Sequence, residues 1–140
     1  IRCFMDHPLA MFGSDGNAVS PNGFYKHAKP HPRFYGTYPR VLGRYVRKKP
    51  SVLTLEEAIY KMTGFPAKRL CMKNRGLIRK GYIADLTIFD PKTVIDNATF
   101  DDPHQFPVGI DHVLVNGIPV IKNGKHTKSI PGKVLRRGKT

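Results

Sequence analysis

The sequence predicts an α/β chain that opens with a strand and a long loop, continues through helices and ends in antiparallel β-structure. Three observations carry that expectation. A short apolar run, Leu9 to Phe12, leads into Gly13-Ser14-Asp15-Gly16 and then a loop rich in Gly, Pro and His. This is how a carboxylate is presented at the carboxyl end of a strand in a (β/α) barrel, although Asp and Gly also dominate simple turns. From Tyr38 to Met72 apolar residues recur at helical spacing, and from Gly81 onward β-branched residues alternate between two Asn-Gly pairs. The texture changes near residue 75, where a domain boundary is expected, dividing the chain into 1–75 and 76–140.

Taken in order, Ile1 to Asp6 reads as the end of a helix, broken by His7-Pro8. Leu9 to Phe12 reads as a buried parallel strand. Ser14 to Pro32 is loop, because Gly16, Pro21, Gly23, Pro30 and Pro32 forbid regular structure. A helix is expected over Tyr38 to Arg47, with Pro39 tolerated in its first turn. Thr54-Leu55-Glu56-Glu57 has the form of a capping box. Leu55, Ala58, Ile59 and Met62 then form a core-facing stripe, Gly64 closes the helix, and a shorter one follows to about Met72. Gly81 to Pro91 reads as a strand ended by Asp-Pro. Val115-Asn116-Gly117-Ile118 predicts a type I′ hairpin, with Pro119 at an edge or bulge and Asn123-Gly124 as a second turn.

Composition excludes several classes. Lys and Arg number 24 against 10 Asp and Glu, a net charge of +14 over 140 residues. Half of that excess lies between Lys122 and Lys139, where no acid occurs. The balance allows contact with anionic partners, yet few aromatics are interleaved with it to stack bases, so nucleic acid is not the expected partner. No run approaches the ~20 apolar residues of a membrane span. Cys3 and Cys71 lack Cys-x-x-Cys spacing, which suits a reducing cytoplasm. The chain is shorter than the ~250 residues of a full (β/α)8 barrel and begins at Ile1, so it reads as a piece of a longer protein.

Four motifs then narrow the reading. They are Gly13-Ser14-Asp15-Gly16; His31-Pro32-Arg33 with Gly36-Thr37-Tyr38-Pro39-Arg40-Val41-Leu42-Gly43-Arg44-Tyr45; Leu55-Glu56-Glu57-Ala58 with Met62-Thr63-Gly64-Phe65-Pro66-Ala67; and Gly81-Tyr82-Ile83-Ala84-Asp85-Leu86 with Phe89-Asp90-Pro91. In this order they resemble the C-terminal part of the N-acyl-D-amino-acid deacylases (D-aminoacylases), a branch of the amidohydrolase superfamily. The resemblance implies the last strand and helices of a (β/α)8 amidohydrolase barrel, followed by part of a small β-sandwich or β-barrel domain. It implies one or two zinc ions in the full-length enzyme and an N-acyl-D-amino acid substrate cleaved to a carboxylate and a D-amino acid. Asp15 matches the aspartate at the metal, which the resemblance implies as a metal ligand and as the base that takes the proton of the attacking water, the remaining ligands being absent from this chain.

Other features of that family are missing from this sequence. It has no His-x-His pair, its histidines being His7, His27, His31, His104, His112 and His126, and one aspartate cannot replace the three protein ligands of a catalytic zinc. The piece is therefore expected to be inactive without an upstream barrel segment. His31 and Arg33 are candidate substrate-binding residues, Arg33 through a bidentate pair with a substrate carboxylate; the alternative is that they fix the loop or cap the next helix. Arg40 and Arg44 read as solvated or paired with missing segments, Asp85 and Asp90 as fixing strand ends, and Cys71 as a small hydrophobe in a packing helix. Tyr25, Tyr35 and Tyr38 are candidate pocket residues. Two other readings are a dihydroorotase-like or dipeptidase-like amidohydrolase, and a non-catalytic basic nucleic-acid-binding module.

Overall fold

A computed structural model describes residues 1–137. Lys139 of the basic tail lies outside the described residues. Helix α1 (Arg2–Asp6) is followed by an irregular segment and the long loop. Helix α2 (Arg33–Arg40) runs without interruption into a π-helical stretch, Val41–Arg47, and α3 (Leu55–Met62) and α4 (Gly64–Arg69) come next. Strands β1 (Leu86–Phe89), β2 (Ile110–Val115), β3 (Ile118–Lys122) and β4 (Lys125–His126) form one antiparallel sheet in sequential order.

The locally encoded elements form as expected. Glu57 N–H donates to Thr54 Oγ1 at 3.2 Å, and Thr54 N–H donates back to Glu57 Oε2 at 2.8 Å, so the capping box closes in both directions. Asn116 and Gly117 have φ of 50° and 79°, the left-handed pair that a type I′ hairpin requires. Asn123 and Gly124 repeat it between β3 and β4. Pro119 pairs with Leu114 where the β2–β3 register shifts, which accommodates its missing N–H.

Four expectations are corrected. Leu9 to Phe12 is not a strand: it has no ladder partner among the described residues, and Phe12 N–H instead donates to the Lys61 carbonyl at 3.1 Å. The second helix begins at Arg33 rather than Tyr38: its N-cap is Pro32, with no side-chain cap, and the preceding His31 Nδ1 accepts the Arg33 N–H at 3.0 Å. Pro39 thus lies near the end of α2. Without an N–H it leaves the Tyr35 carbonyl without its i+4 donor, and the winding widens to π from Val41. Gly64 opens α4 instead of closing α3, and the strand expected over 81–91 is confined to Leu86–Phe89.

The core is one cluster, Val41, Leu42, Leu53, Ala58 and Val94, with Ile59, Met62, Phe89 and Ile110 packed against it. It takes residues from both sides of position 75. Arg47 ties the π-helical stretch to the same region by donating to the Val94 carbonyl at 2.6 Å. Close approach of backbone to backbone makes this possible: a Cβ on Gly43 would stand 2.9 Å from the Val94 carbonyl oxygen.

The capping box gives a stability prediction. Thr54→Ala is expected to lower stability by about 1 kcal/mol, read from urea denaturation followed by circular dichroism. The Glu57 carboxyl is held below its ordinary pKa by the Thr54 N–H and hydroxyl. Asp90 is similarly lowered by the Lys92 N–H and the Thr93 hydroxyl. Both groups bind protons more weakly when folded. Their contribution is therefore full above the unfolded carboxylate pKa and is lost as the pH falls through the folded value. Stability should decline on acidification below about pH 4, and less steeply for Thr54→Ala.

Candidate functional site

Asp15 has φ of 47°, a left-handed conformation that Asp tolerates better than most residues. The turn lifts its carboxylate into solvent, with the side chain 85% exposed. Arg33, from the first turn of α2, reaches back to it. Its Nη2 lies 2.7 Å from Asp15 Oδ2 while Nε donates to the Asp15 carbonyl at 3.0 Å. One guanidinium thus fixes both the backbone and the carboxylate of Asp15. Gly16 passes so close to α2 that an added Cβ would lie 3.1 Å from Phe34 Cα.

The three residues singled out from the sequence are brought together. Arg33 bonds to Asp15 through its side chain and to His31 through its N–H, and the His31 ring meets Phe100 edge-on at 5.0 Å. His104 and Tyr35 hold the loop that follows Asp15. His104 Nε2 is 2.9 Å from the Ala28 carbonyl, which can only accept, so Nε2 carries the proton. In the neutral ring Nδ1 is then the acceptor for the Tyr35 hydroxyl at 2.8 Å. Burial raises the Tyr35 pKa, which keeps that hydroxyl a donor. His104 had no catalytic spacing around it in the sequence; its partners, Tyr35 and Ala28, are distant along the chain.

Tyr35 and Tyr38 line an open, mostly apolar pocket of about 350 Å³ with Leu42, Phe89, Val94 and Ile110, while Tyr25 packs edge-on against Phe24. Arg40 and Arg44 are not solvated spectators. Asp96, whose side chain is fully buried, accepts from Arg40 Nε at 2.7 Å and lies 3.8 Å from Arg44 Nε. Asp85 pairs with Arg75 and accepts the Asn116 N–H at 2.8 Å, anchoring the β2–β3 turn. Cys71 is exposed and lies beyond α4 with φ of 57°, because the helix ends at Arg69; it is not part of a packing face. Among the described residues no three His, Cys, Asp or Glu converge to hold a metal, and no helix is long and apolar enough to cross a membrane.

Comparison with known proteins gives this arrangement a class. Residues 2–121 match the amidohydrolase family, and the chain belongs to that family. Within it the chain is 45% identical to the D-aminoacylase of Alcaligenes xylosoxydans xylosoxydans over 141 aligned positions, covering 98% of this chain and 28% of that protein. A D-aminoacylase structure concerned with a binuclear metal centre superposes with a TM-score of 0.85 at 40% identity, over 97% of this chain and 27% of that one. The N-acyl-D-glutamate deacylase of Bordetella bronchiseptica, solved with zinc and a phosphonate mimic of the tetrahedral intermediate, gives 0.75 at 44% identity, over 85% and 23%. The chain spans about a quarter of the length of these relatives.

Proposed function

We propose that this chain forms the C-terminal part of a zinc-dependent hydrolase of N-acyl-D-amino acids and supplies its catalytic base, Asp15. The observation that carries the reading is the placement of Asp15: an open carboxylate in a left-handed turn, oriented by Arg33. In this reading residues 1–75 close the metal-dependent barrel and 76–140 belong to the small β-domain. The enzyme works in the cytoplasm, which suits the free exposed thiols of Cys3 and Cys71.

The described residues do not by themselves fit a zinc ion. Catalytic zinc takes three protein ligands, whereas Asp15 is the single candidate here and is already paired with Arg33. The remaining ligands belong to the upstream barrel segment, and the piece alone is inactive. Zinc held largely by the upstream segment would supply polarisation of the amide carbonyl and a more acidic attacking water. Asp15 accepts a proton from that water and returns it to the departing amine, so that cleavage of the C–N bond yields a carboxylate and a free D-amino acid. Arg33 and His31 border the approach of the substrate carboxylate, with Arg33 Nη1 not used on Asp15.

The test is hydrolysis by the full-length, zinc-loaded enzyme. N-acetyl-D-amino acids should turn over and their L-enantiomers should not, measured by release of free amine. Absence of turnover across a panel of acidic and apolar D-substrates would overturn the reading.

A further inference from the structure

We propose that Lys61 is a positioning residue for Asp15, mooring the segment that carries it to the C-terminal end of α3. The inference rests on Asp15 being the base. Lys61 is the one buried lysine of the described residues, 7% exposed, on a helix otherwise turned to the core by Ala58. Its ammonium donates to the His7 carbonyl at 2.5 Å and to the Ala10 carbonyl at 3.3 Å. Its own carbonyl accepts the Phe12 N–H at 3.1 Å. All three bonds therefore go to residues 7–12, and Asp15 follows three residues later.

Two physical arguments favour positioning over filling space. First, three bonds from one residue converge on a single short segment, two from the Lys61 ammonium to carbonyls and one from the Phe12 N–H to the Lys61 carbonyl, which a side chain that only filled space would not make. Lys61 satisfies two carbonyls and one N–H of this segment. Second, a buried ammonium is costly to desolvate, and an apolar side chain of equal length would fill the same space more favourably. The last turn of α3 also suits the charge, because a cation there complements the helix dipole. Arg33 from α2 and Lys61 from α3 thus hold the base from two sides, one at Asp15 itself and one along the chain leading to it.

The experiment uses the full-length zinc-loaded enzyme with Lys61→Met and Lys61→Arg. Misplacing a reacting group by about 1 Å costs on the order of a hundredfold. Lys61→Met should lower kcat about ten- to a hundredfold, with KM changed by less than about twofold. Lys61→Arg, which keeps the charge and the donors, should recover most of the loss. Hydrogen–deuterium exchange should show faster exchange in residues 7–16 of Lys61→Met and unchanged exchange in α3. A folded Lys61→Met with the kcat of the parent, or with unchanged exchange in 7–16, overturns the proposal. If Lys61→Met does not fold, Lys61→Gln, which keeps an N–H donor group but loses the charge and the reach, is read by the same two measurements. A parent enzyme that hydrolyses no N-acyl-D-amino acid overturns the functional reading instead, and the exchange measurement still tests the mooring.

Discussion

Asp15→Asn in the full-length enzyme should lower kcat about 10²- to 10⁴-fold, the range expected for loss of a positioned proton acceptor. The substitution is chosen to leave the backbone alone. Asn tolerates a left-handed conformation as Asp does, so the φ of 47° at this position imposes no new strain. The ion pair with Arg33 is lost, but an exposed pair contributes only about 0–1 kcal/mol. Arg33 Nε keeps its bond to the carbonyl of residue 15, which the substitution does not touch. The folded fraction should therefore match the parent while turnover collapses. Stopped assays with an N-acetyl-D-amino acid, beside thermal denaturation of the same samples, separate the two effects. A loss below tenfold would exclude Asp15 as the base.

Gly109→Ala should be strongly destabilising, by about 3 kcal/mol. Two costs add there. Gly109 has φ of 77°, where an L side chain costs roughly 1–2 kcal/mol. An added Cβ would also stand 2.5 Å from the Val94 nitrogen and 2.6 Å from its Cα, and overpacking of this kind costs about 1–3 kcal/mol. Neither partner can move cheaply. Val94 is fully buried at the centre of the core, its N–H bonded to the Asp90 carbonyl at 2.9 Å, and the Gly109 carbonyl accepts the Asp90 N–H at 2.9 Å. Gly132→Ala is the control: its Cβ would meet nothing within 4 Å, so a change within about 0.5 kcal/mol is expected. Urea denaturation of both variants checks the contrast. Equal midpoints would mean that the β1–β2 connection yields far more readily than its packing indicates.

Legibility followed the range of the interaction. The Thr54–Glu57 capping box and the Asn116-Gly117 and Asn123-Gly124 turns depend on residues within four positions of one another, and all three formed as expected. The start of α2 is not legible because its N-cap is Pro32, which offers none of the Ser, Thr, Asp or Asn side-chain caps that usually mark a helix start. Lys61 was invisible for a different reason. A lysine in an amphipathic helix reads as solvated, and nothing near it in sequence shows that its ammonium bonds to residues 7 and 10. The partner of Arg40 was equally hidden, since Asp96 lies 56 positions away.

Sequence alone was enough to identify the amidohydrolase motifs, the carboxylate at Asp15 with its following loop, and the α-then-β order of the chain, because each is written in contiguous residues. Tertiary structure alone showed that Arg33 closes on Asp15, that His104 and Tyr35 hold the loop, and that Lys61 grips residues 7–12. Those contacts join segments 18 to 76 positions apart. Their geometry is set by burial of the shared core around Val41, Ala58 and Val94, which forms through long-range packing that no local pattern encodes.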